Sequence, residues 1–188
     1  GIGLEPAKQA RMKEINSELS SLSLKFGNNL LAESNAFKAE FGVSVSSYYD
    51  QMASITDRAL REKMFKAYSN RGNNGNEYDN KSTVLREMEL RIEKAQLMGY
   101  DSPAAFILES KMAHDPQTVD EFLSGIMAAA ASRAREEIAD MQKVMDEDLA
   151  AGVLPEGSSI EPWDYMYYAE RVRKARYDLD EAEVMKYF

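Results

Sequence analysis

Apolar residues recur along this chain at steps of three and four, the spacing that lines one side of an α-helix. In "PAKQARMKEINSELSSLSLKFGNNLLAESNAFKAEF" the stripe runs Met12, Ile15, Leu19, Leu22 and Phe26, and continues more loosely through Leu30, Phe37 and Phe41. Pro6 suits a first helical turn, so the pattern predicts one helix of about 35 residues, roughly 50 Å long. Residues 42–56, "GVSVSSYYDQMASIT", alternate only at Val43 and Val45 and read as a loop with room for one short strand. From Asp57 to about Arg71 a helix resumes on Leu60, Met64 and Tyr68. The Asn- and Gly-rich stretch at 72–80 then breaks it, because those residues take the positive φ angles of turns.

A further amphipathic helix is predicted over Ser82–Met98, with Leu85, Met88, Ile92 and Ala95 on one face and Gly99 as its stop. Ser102-Pro103 and Asp115-Pro116 are matched start signals, a capping side chain followed by proline. The first opens a short helix through Phe106, Ile107 and Met112. The second opens a long one striped by Val119, Leu123, Ile126, Ala130, Ala134, Ile138, Met141 and Met145. A loop follows at 151–161, then an aromatic helix over about Pro162–Arg176. At the end, Asp180 and Glu183 form a helix-opening capping pair with only a turn or two left before Phe188. Such an ending suggests a fragment. The expected class is all-α: an elongated multi-helix array with two long helices, as a single helical domain or fragment over residues 1–188.

Charge and composition narrow the chemistry. Among 188 residues, 32 acidic against 23 basic side chains give a net charge of −9, a field that repels a polyanion such as nucleic acid. No apolar run approaches the roughly 18 residues of a membrane helix. Cysteine is absent, which removes disulfides, thiolate zinc sites and cysteine nucleophiles. "GIGLEP" shows neither a signal-peptide pattern nor an initiator Met, and the composition suits cytoplasm and periplasm alike.

No catalytic, cofactor-binding or metal-ligating residue emerges. His114 is the single histidine, so H-E-x-x-H cannot be built, and Lys111 stands where a di-iron Glu-x-x-His motif needs its glutamate. His114 reads as a capping or surface residue. Glu87 with Arg91, Glu89 with Glu93 and Lys94, and Glu136 with Asp140 read as a solvated helix surface rather than a carboxylate dyad. "RVRKAR" at 171–176 lies beside Glu170, Asp178 and Asp180 and reads as an intramolecular ion-pair surface. Trp163 and Tyr167 share one face of their helix while Tyr165 and Tyr168 lie nearer another, which predicts burial on two sides rather than a stacking platform. Asn80-Lys81-Ser82 fits a glycosylation triplet, a pattern too common to carry weight.

Longer phrases are more specific. "EINSELSSLSLKFGNNLLAESNAF", "DRALREKMFKAYSNRG", "RIEKAQLMGYDSPAAFILESKMAHDPQTVDEFL" and "IEPWDYMYYAERVRKARYDLDEAEVMKYF", in this order, resemble the N-terminal helical half of the thimet oligopeptidase family of zinc metallopeptidases, in its dipeptidyl carboxypeptidase and oligopeptidase A branch. Pro162-Trp163-Asp164, Tyr168-Ala169-Glu170 and Tyr177-Asp178-Leu179-Asp180 are its most distinctive pieces. The resemblance implies a zincin-type peptidase that encloses short peptides between two largely helical halves. Its zinc sits on an H-E-x-x-H helix and a downstream glutamate, beyond the stretch matching Tyr177–Phe188. Zinc is thus expected in the parent enzyme and not on this chain, which alone should be inactive. Its expected partners are short peptides and the missing C-terminal catalytic half, with self-association where that half would dock. In one respect the chain departs from the family, which has several dozen residues where only about fifteen, at 42–56, join the first two helices; that connection is either naturally short or trimmed. The alternative from another class is a stand-alone helical interaction module without enzymatic activity.

Overall fold

The computed structural model describes residues 3–177. Seven α-helices and one short 3-10 turn are found among them, with no strand: α1 Pro6–Phe41, α2 Tyr48–Ser54, α3 Arg58–Ser69, α4 Lys81–Leu97, α5 Pro103–Leu108, α6 Pro116–Ala150 and α7 Tyr165–Tyr177. The expected all-α class is what the chain adopts. The Asp180/Glu183 capping pair lies outside the described residues.

Local chemistry sets the helix boundaries. Asp57 Oδ1 accepts from the Ala59 and Leu60 amides at 2.9 and 3.2 Å, satisfying free N–H groups at the start of α3. Ser102 Oγ does the same for Ala105 N at 3.1 Å, and Asp115 Oδ1 for Thr118 N at 2.8 Å. Gly99, at φ 89°, closes α4 while the Tyr100 amide reaches back to the Ala95 carbonyl at 3.0 Å.

Tertiary contacts divide the chain into two compact units. The first comprises Gly1–Ala36 and Asn70–Met127. Within it α1 and α4 run antiparallel, joined by rungs whose numbers rise on one helix as they fall on the other. Arg11 pairs with Glu93 (2.6 Å), Glu18 with Arg86 (2.7 Å), and Asn29 donates to Asn80 (3.0 Å). Ile15 on α1 and Leu90 on α4, both fully buried, lie between those rungs in sequence.

The second unit comprises Phe37–Ser69 and Ala128–Phe188. One apolar cluster gathers Phe37, Tyr48, Met52 and Met64, with Trp163 and Met166 packed against it. Tyr48 and Tyr68 stack there at 3.7 Å. Another gathers Met141 and Met145 of α6 around Tyr168 of α7. The helix α7 meets the first cluster through Met166 and the second through Tyr167 and Tyr168; the expected aromatic pairing is corrected, since Tyr165 is exposed and Trp163 precedes the helix.

Several expectations are corrected. Residues 42–56 are not a plain loop: Ser44 caps a 3-10 turn at Val45–Ser47, accepting from Ser47 N at 3.2 Å, and α2 follows. Tyr48 and Met52 stand four residues apart, and burial of that pair gives α2 its reason to be helical. The short helix α5 stops at Leu108, leaving Met112 exposed beyond it. On α4, Ala95 of the expected face is buried, but Leu85, Met88 and Ile92 are exposed; Thr83 and Leu90 are buried instead, because the rungs to α1 draw in the 83–86–90–93 side. Along α6 only Met141 and Met145 are buried; Leu123, Ile126 and Ile138 are exposed.

Candidate functional site

Two polar constellations, one in each unit, are the best-organised groups of side chains. In the second unit, Asp164 precedes the first residue of α7, and its backbone carbonyl accepts the Tyr168 amide at 3.0 Å. Its side chain is fully buried. Arg58 Nη2 donates to Oδ2 at 2.7 Å, Arg61 Nη2 to Oδ1 at 2.8 Å, and the Glu161 amide to Oδ2 at 3.2 Å. Burial pushes the carboxyl upward, but the two arginines outweigh it and hold Asp164 below the usual carboxylate range.

Arg61 is as buried as its partner. Its Nη1 donates to the carbonyls of Ile55 (2.8 Å) and Thr56 (3.1 Å), so a cation meets the exposed carbonyls at the end of α2. The guanidinium lies 4.2 Å from the centre of the Tyr167 ring, within cation–π reach. Beside it, Asp148 on α6 accepts from Tyr168 Oη at 2.8 Å and from Arg171. Burial first, then the Asp148 hydrogen bond, pushes the Tyr168 phenol up. Asp148 itself is raised by burial and lowered more by Arg171 and Tyr168, with a net downward shift. Next to these groups Tyr48, Tyr49, Phe65, Tyr68, Pro162 and Tyr165 line an open recess of about 330 Å³.

In the first unit Glu33, a buried carboxylate on α1, organises the 72–80 loop. Its Oε1 accepts from Asn74 Nδ2 at 2.9 Å and Asn76 Nδ2 at 2.8 Å, and Oε2 accepts the Gly72 amide. Burial raises its pKa, while Asn74, Gly72 and Asn76 lower it further than that, leaving it depressed. Gly72 sits at φ 76°, and a Cβ there would come 3.1 Å from Asn80 Nδ2, so the turn needs glycine. Asn80 is buried, with Nδ2 donating to the Phe26 carbonyl at 3.2 Å, which removes the glycosylation triplet from solvent.

These groups give the site its shape and charge balance. His114 is exposed, in left-handed backbone at φ 64°, with Nδ1 3.4 Å from the Glu109 carbonyl oxygen. Among the described residues no three His, Cys, Asp or Glu side chains converge as metal ligands. A zinc ion therefore does not fit the donors present there. The basic cluster forms ion pairs with Glu170, as expected, and also with acids on α6, while Asp178 and Asp180 lie outside the described residues. Arg173 meets Glu170 at 2.7 Å, while Arg171 and Arg176 reach Asp148 and Asp140 on α6. Glu87 pairs with Arg91 at 3.0 Å, whereas Glu89 turns to Arg86, Glu93 to Arg11 and Glu136 to Arg133. Lys94 donates to Asn16, and Asp140 pairs with Lys143 as well as Arg176. No described helix is long and apolar enough to cross a membrane.

Sequence reasoning missed the buried carboxylates Asp164 and Glu33 and the half-buried Asp148. A signal existed for Arg61 alone, which stands three residues before Met64 on the buried side of α3.

Known proteins resemble this chain over its whole length. Dipeptidyl carboxypeptidase of Escherichia coli (strain K12) is 29% identical over 220 residues, covering 100% of this chain and 31% of that protein. Oligopeptidase A of Haemophilus influenzae (strain ATCC 51907 / DSM 11121 / KW20 / Rd) is 28% identical over 223 residues, covering 100% and 32%. A probable cytosolic oligopeptidase A of Arabidopsis thaliana is 29% identical over 226 residues, covering 100% and 31%. The chain thus spans about a third of the length of these relatives. The alignments are longer than the 188 residues of this chain, so each relative carries residues without a counterpart here. The model of Peptidase family M3 matches residues 51–188, from within α2 to the end of the chain, and on that match the protein belongs to Peptidase family M3.

Proposed function

We propose that this chain is a non-catalytic helical portion of a zinc metallopeptidase that cleaves short peptides, as a dipeptidyl carboxypeptidase or an oligopeptidase, and that it forms part of the framework of the substrate cleft. One observation supports the reading: all of this chain aligns with dipeptidyl carboxypeptidase but with only 31% of that protein. The zinc, its ligands and the activated water then belong to the rest of the parent enzyme. Zinc would polarise the scissile carbonyl and supply a nucleophilic water there. The contribution of these residues is confinement: a rigid wall limits which peptides enter and orients them, which raises rate without contact with the breaking bond. The buried Asp164 node and the apolar clusters beside it supply that rigidity in the second unit.

The test compares two purified proteins, residues 1–188 and the full-length product of the source gene. Chelator-sensitive release of dipeptides or internal fragments is expected from the second and not from the first. Stoichiometric zinc together with chelator-sensitive hydrolysis by residues 1–188 would overturn the reading. So would a full-length product without peptidase activity, the result that the stand-alone interaction module predicts.

A further inference from the structure

The stretch of α6 in the first unit is a helix without a visible reason to be so apolar. Phe122, Leu123, Ile126 and Met127 stand at steps of one, three and one, on one side of the helix, and are 67%, 52%, 50% and 64% exposed. Every residue from 120 to 127 is exposed. A soluble helix hides such a stripe, so this one is made to be covered. Gly125 is a second sign. Glycine weakens a helix interior, and here nothing asks for it: a Cβ built at Gly125 meets no atom within 4 Å. A small residue beside an open apolar stripe lets another backbone approach closely. On α4, in the same unit, Val84, Leu85, Met88 and Ile92 also lie open.

We propose that the Phe122–Met127 face of α6 is a docking surface for an apolar helix face belonging to the part of the peptidase chain outside this region. The proposal rests on the reading above, that these residues are one portion of a longer enzyme. Two observations choose this occupant over a second copy. About two thirds of each relative lies outside the region matched here, enough chain to supply the missing cover. Two copies at a net charge of −9 each would also repel one another. An open apolar side is what remains when one third of a larger shared core is considered alone.

The absence of native cysteine from these residues permits a direct test. Ile126→Cys and, as a second conservative variant, Met127→Cys are made in the full-length product of the source gene. Glu121→Cys, on the opposite side of the same helix, is the control. Thiol modification is followed by mass spectrometry of the α6 peptide, at protein concentrations spanning a hundredfold. Access controls the rate when thiols are otherwise alike. The docking surface is supported if the stripe cysteines react at least 100-fold more slowly than the control at every concentration. It is overturned by reaction at the control rate, which leaves the face open to solvent. It is equally overturned by protection that disappears on dilution, which makes a second copy the occupant. The readout needs no activity, so the peptidase assay of the unsubstituted protein scores the functional reading separately.

Discussion

Arg61 and Asp164 meet at 2.8 Å with side-chain exposures of 1% and 0%, although 103 residues separate them in sequence. The pair fastens α3 to the residue that opens α7. Removing one member of a buried ion pair strands the other charge without solvent, which costs about 3 to 5 kcal/mol. Asp164→Ala is expected to lower the stability of the second unit by that amount. Arg58→Ala should cost distinctly less, because Arg58 retains access to water and Arg61 still neutralises the carboxylate. Denaturant titrations followed by fluorescence of Trp163, which packs in that unit, measure both. Equal losses would show that the burial of Arg61 does not set the energetics.

The same carboxylate predicts an acid response. A group whose pKa is depressed on folding stabilises the fold above its unfolded value and loses that contribution as pH falls through the folded value. Asp164 and Asp148 both shift downward. The second unit should therefore be equally stable from pH 7 to about 5, then weaken below the ordinary aspartate value of about 4. In Asp164→Asn the starting stability is lower and the acid slope shallower. An unchanged slope in that variant would remove Asp164 from the account.

Glu33 makes a similar prediction for the first unit, with a local readout. Glu33→Ala strands the Gly72 amide and two asparagine side chains that now converge on one carboxylate. The expected loss is about 2 kcal/mol, together with faster hydrogen exchange across residues 72–79 than along α4. Exchange that rises evenly through the unit would mean that Glu33 supports general packing and not the loop.

Tyr168→Phe isolates one hydrogen bond. The ring and its packing on Met141 and Met145 are kept, while the phenol that donates to Asp148 at 2.8 Å is lost. A hydrogen bond to a charged acceptor is worth about 1.5 to 3 kcal/mol, and Arg171 still partners Asp148. The fall in stability should lie near the lower figure and grow when combined with Arg171→Ala, since both act on the same carboxylate. Simple additivity in the double-variant cycle would deny that the three residues form one network.

Much of the helical framework was legible because its signals are local. Pro6, Asp57, Ser102-Pro103 and Asp115-Pro116 start helices through groups only a few residues away, and Gly99 stops one in the same manner. The exception is α2, where Val43 and Val45 offered an alternation and the helix depends on Tyr48 and Met52 finding a distant cluster. The buried carboxylates Asp164 and Glu33 were illegible for a related reason. In sequence each is one acid among many, and only its partners make burial tolerable.

By itself the sequence determined where the long helices run, that no histidine-pair or thiolate metal site can form on these residues, and, through its longer phrases, the peptidase family. Tertiary structure alone decided which helix sides are covered and which acids are buried. Periodicity says that a helix has an apolar side, but burial belongs to a pair of surfaces: on α4 the rungs to α1 left most of the apolar stripe outside, and on α6 the stripe from Phe122 to Met127 is exposed. Likewise the ionisation of Asp164 depends on two guanidiniums brought to it from about a hundred residues away, a distance across which no local pattern carries information.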